Sequence, residues 1–180
     1  MKLSDAKQLA RKLMDEHGAN DVPLIISGGK RQLGVCSFKA KANPSLDMVN
    51  DIFGYRRPTR KERLQHAICV GIKLSRYLVD LNDENEIRET ILHEIAHFLV
   101  GPGHGHDAVW RKKAIEIGCN GDTYAKTAKM PEGRYKAVCD CGKVYTKHRK
   151  GKNVLKANHW RCGICKNLIQ FYDTQTKTYA

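Results

Sequence analysis

Two histidines four positions apart, with a glutamate directly after the first, constrain this chain more than any other feature. They form the sequence His-Glu-Ile-Ala-His at positions 93–97. If this segment is helical, both imidazoles lie on one face, and the pattern predicts a zinc site with Glu94 as its general base. The alternative interpretation is an exposed helix in which these residue types occur incidentally.

The flanking sequence predicts that the motif lies on a helix of about four to five turns. Acidic residues near position 84 suit the positive end of a helix dipole. The run Gly101-Pro102-Gly103 is typical of a helix end. Between them, apolar residues recur every four positions and form a stripe at helical spacing, namely Ile87, Ile91, Ile95 and Leu99.

A third zinc ligand is expected soon after this helix. A catalytic zinc usually has three protein ligands and keeps a fourth position open for water, and His104 and His106 follow in a Gly-rich turn. We favour His106 because it precedes a second predicted helix, from about Asp107 to Ile117, whose packing can fix the ring. His104 lies between two glycines and is expected at the rim of the cleft, either exposed to solvent or in contact with substrate.

Four of the seven cysteines form two close pairs and predict a second, structural zinc site. One residue separates the first pair, two separate the second, and twenty residues lie between the pairs, so four thiolates can complete a tetrahedral shell. A redox pair is the alternative, but no βαβ context surrounds these residues. His148 and His159 could substitute as ligands. The predicted ligands are Cys139, Cys141, Cys162 and Cys165; the other cysteines, Cys36, Cys69 and Cys119, are expected to be small buried hydrophobes.

Apolar patterning predicts an α+β fold with two domains. The first, residues 1–125, has a small sheet of three to four strands packed on helices, one of which carries the histidine motif. A linker over 126–133, a zinc ribbon over 134–172 and a tail over 173–180 follow. The predicted elements of the first domain are a helix over 4–17, strands near 22–27, 33–40 and 66–75, and a partly helical insertion over 43–63. The ribbon is expected to form a short antiparallel sheet, for which the apolar cover is Tyr135, Val138, Val144, Tyr145, Trp160, Ile169 and Phe171.

Positive charge is concentrated in the predicted ribbon. Residues 126–166 contain twelve Lys or Arg and two acidic residues, in a chain whose formal net charge is +13. A clustered basic patch with interleaved aromatic residues predicts contact with the phosphates and unpaired bases of nucleic acid. A solvated basic face without a ligand is the alternative. The predicted contact residues are Lys143, Lys147, Arg149, Lys150, Lys152, Lys156, Trp160 and Arg161.

Four motifs in order along the chain resemble the SprT-like (Spartan-type) zinc metalloprotease domain. They are the histidine motif, a third histidine four residues before an aromatic residue (His106 and Trp110), the strand sequence Leu33-Gly34-Val35-Cys36, and the strand sequence Ile72-Lys73-Leu74-Ser75. Asp107 stands where the family usually has Gly. The paired cysteines are similar to the zinc ribbon that many members carry. The resemblance extends over about residues 1–172 and implies a zincin-like fold.

The resemblance implies a zinc-dependent endopeptidase that cleaves proteins bound or crosslinked to DNA. Its expected cofactors are two Zn²⁺ per chain, one catalytic (His93, His97 and His106, with Glu94 as base) and one structural. Its expected partner is single-stranded or damaged DNA, recognised without sequence specificity. No apolar run approaches the length of a membrane span, so a cytoplasmic, DNA-associated protein is expected. The alternatives are a non-enzymatic DNA-binding zinc protein or regulator with a structural metal at the histidine motif, and a DNA-independent peptidase.

Overall fold

The computed structural model describes residues 1–40, 49–51, 54–56, 64 and 67–176. The chain divides into two compact units, residues 1–130 and 131–180. The boundary therefore falls a few residues after the predicted end of the first domain. Helices and small sheets together make the mixed α+β fold that the sequence predicts. None of the helices in the described ranges is both long and apolar enough to cross a bilayer.

The described residues of the first unit form four helices, α1 (Leu3–Glu16), α2 (Arg76–Leu81), α3 (Glu84–Val100) and α4 (Ala108–Glu116). Side chains cap the last three, because a Ser or Asp oxygen satisfies a backbone N–H that has no partner within the first turn. Asp83 accepts a bond from the N–H of Glu86, and Asp107 accepts one from the N–H of Trp110. The helix α2, capped by Ser75, was not predicted.

The sheet of the first unit has three strands, β1 (Leu24–Ser27), β2 (Gly34–Ala40) and β5 (Ala67–Ser75), in the order β1-β5-β2. The central strand β5 is parallel to β1 and antiparallel to β2. All three strands were predicted, although His66, the predicted start of the third, lies outside the described residues. Among the described strands, β2 therefore lies at an edge of this sheet.

The predicted insertion over 43–63 is described only in part. Its described residues form two short antiparallel strands, β3 (Val49–Asp51) and β4 (Gly54–Arg56). These strands were not predicted, and the helical part of the prediction falls outside the described residues.

The core of the first unit lies between the helices and the sheet. Ile72 and Leu74 of β5 are fully buried. Three members of the predicted stripe on α3, Ile87, Ile91 and Ile95, are also fully buried, whereas Leu99 is 38% exposed. All four residues lie on one helix, as the spacing predicts, and the first three face the core. Burial of each such side chain contributes roughly 1.5–3 kcal/mol, so the helix that carries the histidine motif is rigidly held. Other buried members of the core are Ala6, Ala10, Leu13, Met14, Leu78, Leu92 and Trp110.

The second unit contains five short strands, β6 (Tyr135–Val138), β7 (Val144–Lys147), β8 (Trp160–Arg161), β9 (Leu168–Ile169) and β10 (Tyr172–Asp173). They form two antiparallel sheets, β10-β6-β7 and β8-β9. The prediction that Val138 and Val144 cover the ribbon's core was wrong, because these paired residues are 55% and 44% exposed. The other predicted residues were right: Tyr135, Ile169 and Phe171 belong to the buried core, and Tyr145 and Trp160 pack against it. The remaining core residues are Ala137, Cys139, Val154, Leu155 and Cys162.

An ion pair joins Arg134 and Asp173 in the second unit. The carboxylate of Asp173 accepts bonds from Nε of Arg134 at 2.9 Å and lies 2.7 Å from its Nη2. Asp173 is buried, and the hydrogen bond from Arg134 lowers the pKa of this carboxyl to about 2. Although the predicted tail begins at Asp173, this residue is therefore part of the fold.

Candidate metal centre and cleft

Three histidine side chains converge beside α3. His93 and His97 are one helical turn apart on α3, and His106 lies in the loop that precedes α4. The Nε2 atom of His106 lies 2.9 Å from that of His93 and 3.1 Å from that of His97. The structure thus brings together the three imidazoles that the sequence analysis grouped.

The spacing of these nitrogen atoms fits a zinc ion. Zn–N bonds of about 2.0–2.1 Å in a tetrahedral site place neighbouring ligand nitrogens about 3.3 Å apart. The three ring nitrogens lie within 4.8 Å of one another. The distances from His106 to His93 and to His97, 2.9 and 3.1 Å, are close to the separation of about 3.3 Å expected around zinc. Imidazole nitrogen is also a ligand that zinc prefers.

Trp110 supports all three rings. The centroid of its side chain lies 4.6 Å from those of His93 and His106 and 5.2 Å from that of His97. Trp110 is only 1% exposed, and the N-cap bond to Asp107 fixes the turn from which it projects. A buried aromatic residue at this place restricts the rotamers of the rings, as a preorganised site requires.

Burial keeps these histidines in the neutral form that binds metal. Burial first, and the neighbouring imidazoles second, lower the pKa of His93 and of His97 to about 4. Burial also lowers the pKa of His106. Because neutral imidazole is the metal-binding form, the site does not have to lose protons near pH 7 before it binds an ion.

His104 lies apart from this group. Its Nδ1 atom is 2.7 Å from Oδ2 of Asp107, and its side chain is partly exposed. Among the described residues, the histidine cluster contains His93, His97 and His106 without His104. Its expected position at the rim of the cleft stays a prediction.

Glu94 is buried next to the first histidine. Its side chain is 7% exposed, and burial raises the pKa of its carboxyl to about 7. The backbone N–H of Cys36 donates a hydrogen bond of 2.6 Å to Oε2 of Glu94 and opposes that shift. A carboxylate that titrates near neutral pH is suited to accept and return a proton.

A cleft with a volume of about 490 Å³ opens beside His93 and Glu94. One wall is formed by residues 31–34 at the start of β2, and the floor by residues of α3. A second wall is formed by residues 119, 120 and 122–127. The carboxylate and the first histidine therefore lie where a bound molecule can reach them.

The segment 119–127 was not predicted to contribute to the site. The N–H of Asn120 donates to Oε2 of Glu89 at 2.9 Å, and the hydroxyl of Thr127 hydrogen-bonds to Glu86. The ring of His93 also hydrogen-bonds to the backbone of Asp122. These contacts join residues far apart in the chain, and the segment has no motif of its own from which its role could be predicted.

The four paired cysteines converge in the second unit. The Sγ atoms of Cys139 and Cys165 lie 3.3 Å apart, and those of Cys141 and Cys162 lie 3.6 Å apart. A disulfide needs about 2.05 Å, whereas a tetrahedral zinc site with Zn–S bonds of about 2.3 Å separates its sulfur atoms by about 3.8 Å. All four are free thiols, so the cluster is consistent with zinc. Among the described residues neither His148 nor His159 joins it.

The remaining cysteines are only partly as expected. Cys119 is buried, but Cys36 and Cys69 are half-buried, with their Sγ atoms 3.6 Å apart. The half-buried pair lies where the edge strand β2 meets β5. Cys36 lies on the edge strand β2, which explains its lower burial, whereas Cys69 lies on the central strand β5.

The residues predicted to contact nucleic acid differ in their exposure: six are exposed, and Lys147 and Trp160 are half-buried. Lys147 places its Nζ atom 2.9 Å from the centre of the Trp160 ring, and both residues are half-buried. The indole Nε1 donates to the carbonyl of Asn153 at 2.7 Å. One face of Trp160 is therefore occupied and unable to stack on a base. The exposed members of the predicted set are Lys143, Arg149, Lys150, Lys152, Lys156 and Arg161.

Comparison with known proteins identifies the family. The family model described as the SprT-like family matches residues 6–130, which is more than half of the chain. No curated protein and no solved structure gives a significant match. The matched residues include the three histidines, the buried glutamate and both walls of the cleft, and the chain therefore belongs to the SprT-like family.

Proposed function

We propose that this protein is a zinc-dependent endopeptidase that acts on proteins bound or crosslinked to DNA. The observation that carries the peptidase part is the convergence of three neutral imidazole nitrogens beside a buried carboxylate at an open cleft. Membership of the SprT-like family supports it. The helix that carries both histidines, packed on a small sheet, is in keeping with a zincin-like arrangement.

Each residue of the centre has a distinct part in this proposal. His93, His97 and His106 hold zinc, which when bound lowers the pKa of a coordinated water and polarises a carbonyl. Glu94 accepts a proton at its carboxylate and returns it to the leaving amine. In the metal-free protein, burial raises the pKa of this carboxyl, which favours its taking up a proton. The cleft holds the peptide next to these groups.

The ribbon is proposed to bind a second zinc ion through its four cysteines. The unit formed by residues 131–180 has a core of eight buried residues, two of which are cysteines of the cluster. So small a core seldom supports a fold alone, and a metal bound by four thiolates contributes the missing stability. We therefore expect two zinc ions per chain.

DNA association is inferred from the charge of the ribbon. Its exposed lysines and arginines can neutralise phosphates without reading a sequence. Tethering the cleft to DNA raises the local concentration of DNA-bound proteins, and this selectivity needs no additional contact in the cleft.

A cleavage assay tests the proposal. Wild-type protein loaded with zinc is expected to cleave a histone bound to single-stranded DNA. Glu94→Gln should keep both metals and lose cleavage, whereas Glu84→Gln, on the same helix but in its exposed first turn, should cleave normally. Retained cleavage by Glu94→Gln would overturn the mechanism.

The same assay separates the alternatives. Firm DNA binding without any cleavage would indicate a non-enzymatic zinc protein. Cleavage that is indifferent to DNA and to salt would indicate a DNA-independent peptidase.

A further inference from the structure

The edge strand β2 makes a direct contact with Glu94. The N–H of Cys36 donates to Oε2 of Glu94 at 2.6 Å, across 58 positions of sequence. Within the described residues β2 pairs with β5 alone, and this N–H bonds to the carboxylate instead of to β5. A hydrogen bond to an ionised acceptor is about twice as strong as one between neutral groups.

Gly34 makes this close approach possible. A Cβ atom at this position would lie 2.8 Å from both Cγ and Oε1 of Glu94, and 2.9 Å from Cγ2 of Thr90. Both neighbours are buried, so neither side chain can move aside easily. Any residue other than glycine would therefore displace the carboxylate or the strand.

We propose that the backbone of β2 is a positioning element for the general base: the N–H of Cys36 holds Oε2 of Glu94, and Gly34 leaves the space that Oε1 occupies. With one oxygen fixed, the other is the atom that accepts the proton. Gly34 and Glu94 both line the cleft, so the oriented carboxylate faces the space where a peptide binds. This inference rests on the proposed peptidase function.

The positioning role has a physical basis in the cost of a misplaced base. A catalytic group displaced by about 1 Å can cost a hundredfold in rate. A glutamate carboxylate, which three rotatable bonds orient, loses its orientation without a fixed partner. The backbone amide of a strand is a more rigid partner than a side chain, because the ladder with β5 holds it.

A matched pair of variants isolates the N–H group. Cys36→Pro removes the donor, and an edge strand tolerates proline where the N–H faces away from the neighbouring strand. Cys36→Ala removes only the thiol. With the histone substrate, Cys36→Pro should lower kcat by roughly ten- to hundredfold at unchanged KM and full zinc content. Cys36→Ala should stay within about twofold of wild type in kcat, as expected for a change that keeps the positioned base.

A second pair tests the close approach and covers the case in which the proline variant fails to fold. Gly34→Ala should lower kcat in the same way. Gly28→Ala is its control, because a Cβ atom there would meet nothing within 4 Å.

The readout that is independent of activity is the amide proton of Cys36 in an NMR spectrum. In the wild type it should resonate downfield, because the short bond to a carboxylate deshields it. Gly34→Ala and Glu94→Gln should move it upfield, and Gly28→Ala should not. An ordinary wild-type shift, or full kcat in a folded, zinc-loaded Cys36→Pro variant, would overturn the positioning role. Absence of cleavage by the wild type would instead defeat the proposed function. The NMR result would still show whether the N–H of Cys36 bonds to Glu94.

Discussion

The hydroxyl of Tyr145 lies 3.1 Å from Sγ of Cys162 and accepts a hydrogen bond of 2.8 Å from the N–H of Gly163. Tyrosine thus joins β7 to the second cysteine pair, and its hydroxyl can donate to the thiolate. This bond is the largest cause that lowers the pKa of Cys162, to about 5. A thiolate at neutral pH is the form that binds zinc.

Tyr145→Phe should weaken zinc binding by the cysteine cluster by roughly ten- to hundredfold, because partners of metal ligands tune affinity to that degree. Competition with a chromophoric chelator measures it, in a background where His93→Ala and His97→Ala leave the cysteine cluster as the zinc site. Tyr124→Phe, at an exposed residue of the first unit, is the control. Equal affinities in the two variants would show that the hydroxyl does not support the ligand.

Metal content should distinguish the two neighbouring histidines of the turn before α4. Because Nε2 of His106 faces both other rings while His104 bonds to Asp107, His106→Ala should lower the zinc content from about two ions per chain to about one. His104→Ala should leave it unchanged. Plasma mass spectrometry of the purified variants gives the count, and the reverse pattern would assign the third ligand to His104.

The stability of the metal-free protein should depend on pH through Glu94. Its folded pKa of about 7 is above the ordinary 4.5, so the fold favours the protonated carboxyl. That stability is fully present below about pH 4.5 and is lost as the pH rises to about 7. Glu94→Gln should therefore gain about 3 kcal/mol relative to the wild type across this range.

Urea unfolding at several pH values checks this expectation. A Trp160→Phe background leaves Trp110 of the first unit as the fluorescent reporter, since the chain has two tryptophans. The histidines titrate alike in both proteins, so their contribution cancels in the difference. A difference that does not change with pH would contradict the burial of a protonated Glu94.

Two apolar residues of α3 should differ sharply in their contribution to folding. Ile91 is fully buried, so Ile91→Ala leaves a cavity and should lower the free energy of unfolding by about 2–5 kcal/mol. Leu99 is 38% exposed, and Leu99→Ala should cost less than Ile91→Ala. Chemical denaturation of both variants measures the contrast. Equal losses would mean that α3 is buried along its whole length.

Binding of single-stranded DNA should depend on salt through the exposed lysines of the ribbon. Each phosphate contact contributes about 0.7 to the slope of log K against log salt. The double variant Lys150→Ala with Lys152→Ala should therefore make the salt dependence shallower, reducing the magnitude of that slope by about 1.4. The control is the double variant Lys2→Ala with Lys7→Ala. Lys2 precedes α1, and Lys7 lies on its exposed face. Fluorescence anisotropy at several salt concentrations measures both, and equal slopes would remove these lysines from the interface.

Local sequence spacing was sufficient to predict the parts of the site that repeat within one element or one turn. His93 and His97 share a helical face because the α-helix has 3.6 residues per turn, and the Asp107 cap starts α4 directly after His106. The two cysteine pairs lie on tight turns whose spacing alone suggests a metal cluster. The spacing of the α3 stripe predicted the helix, but it did not show that Leu99 would be more exposed than the other three residues.

Tertiary structure alone decided which distant groups meet these residues. The sequence determined that Glu94 follows a histidine on a helix, but only the packing of β2 against α3 places the N–H of Cys36 on its carboxylate. Only the folded second unit places Lys147 over Trp160 and so removes a predicted stacking surface. Periodicity is a property of neighbouring residues, whereas burial, and the pKa shifts and hydrogen bonds that come with it, depends on chain segments that the sequence pattern does not connect.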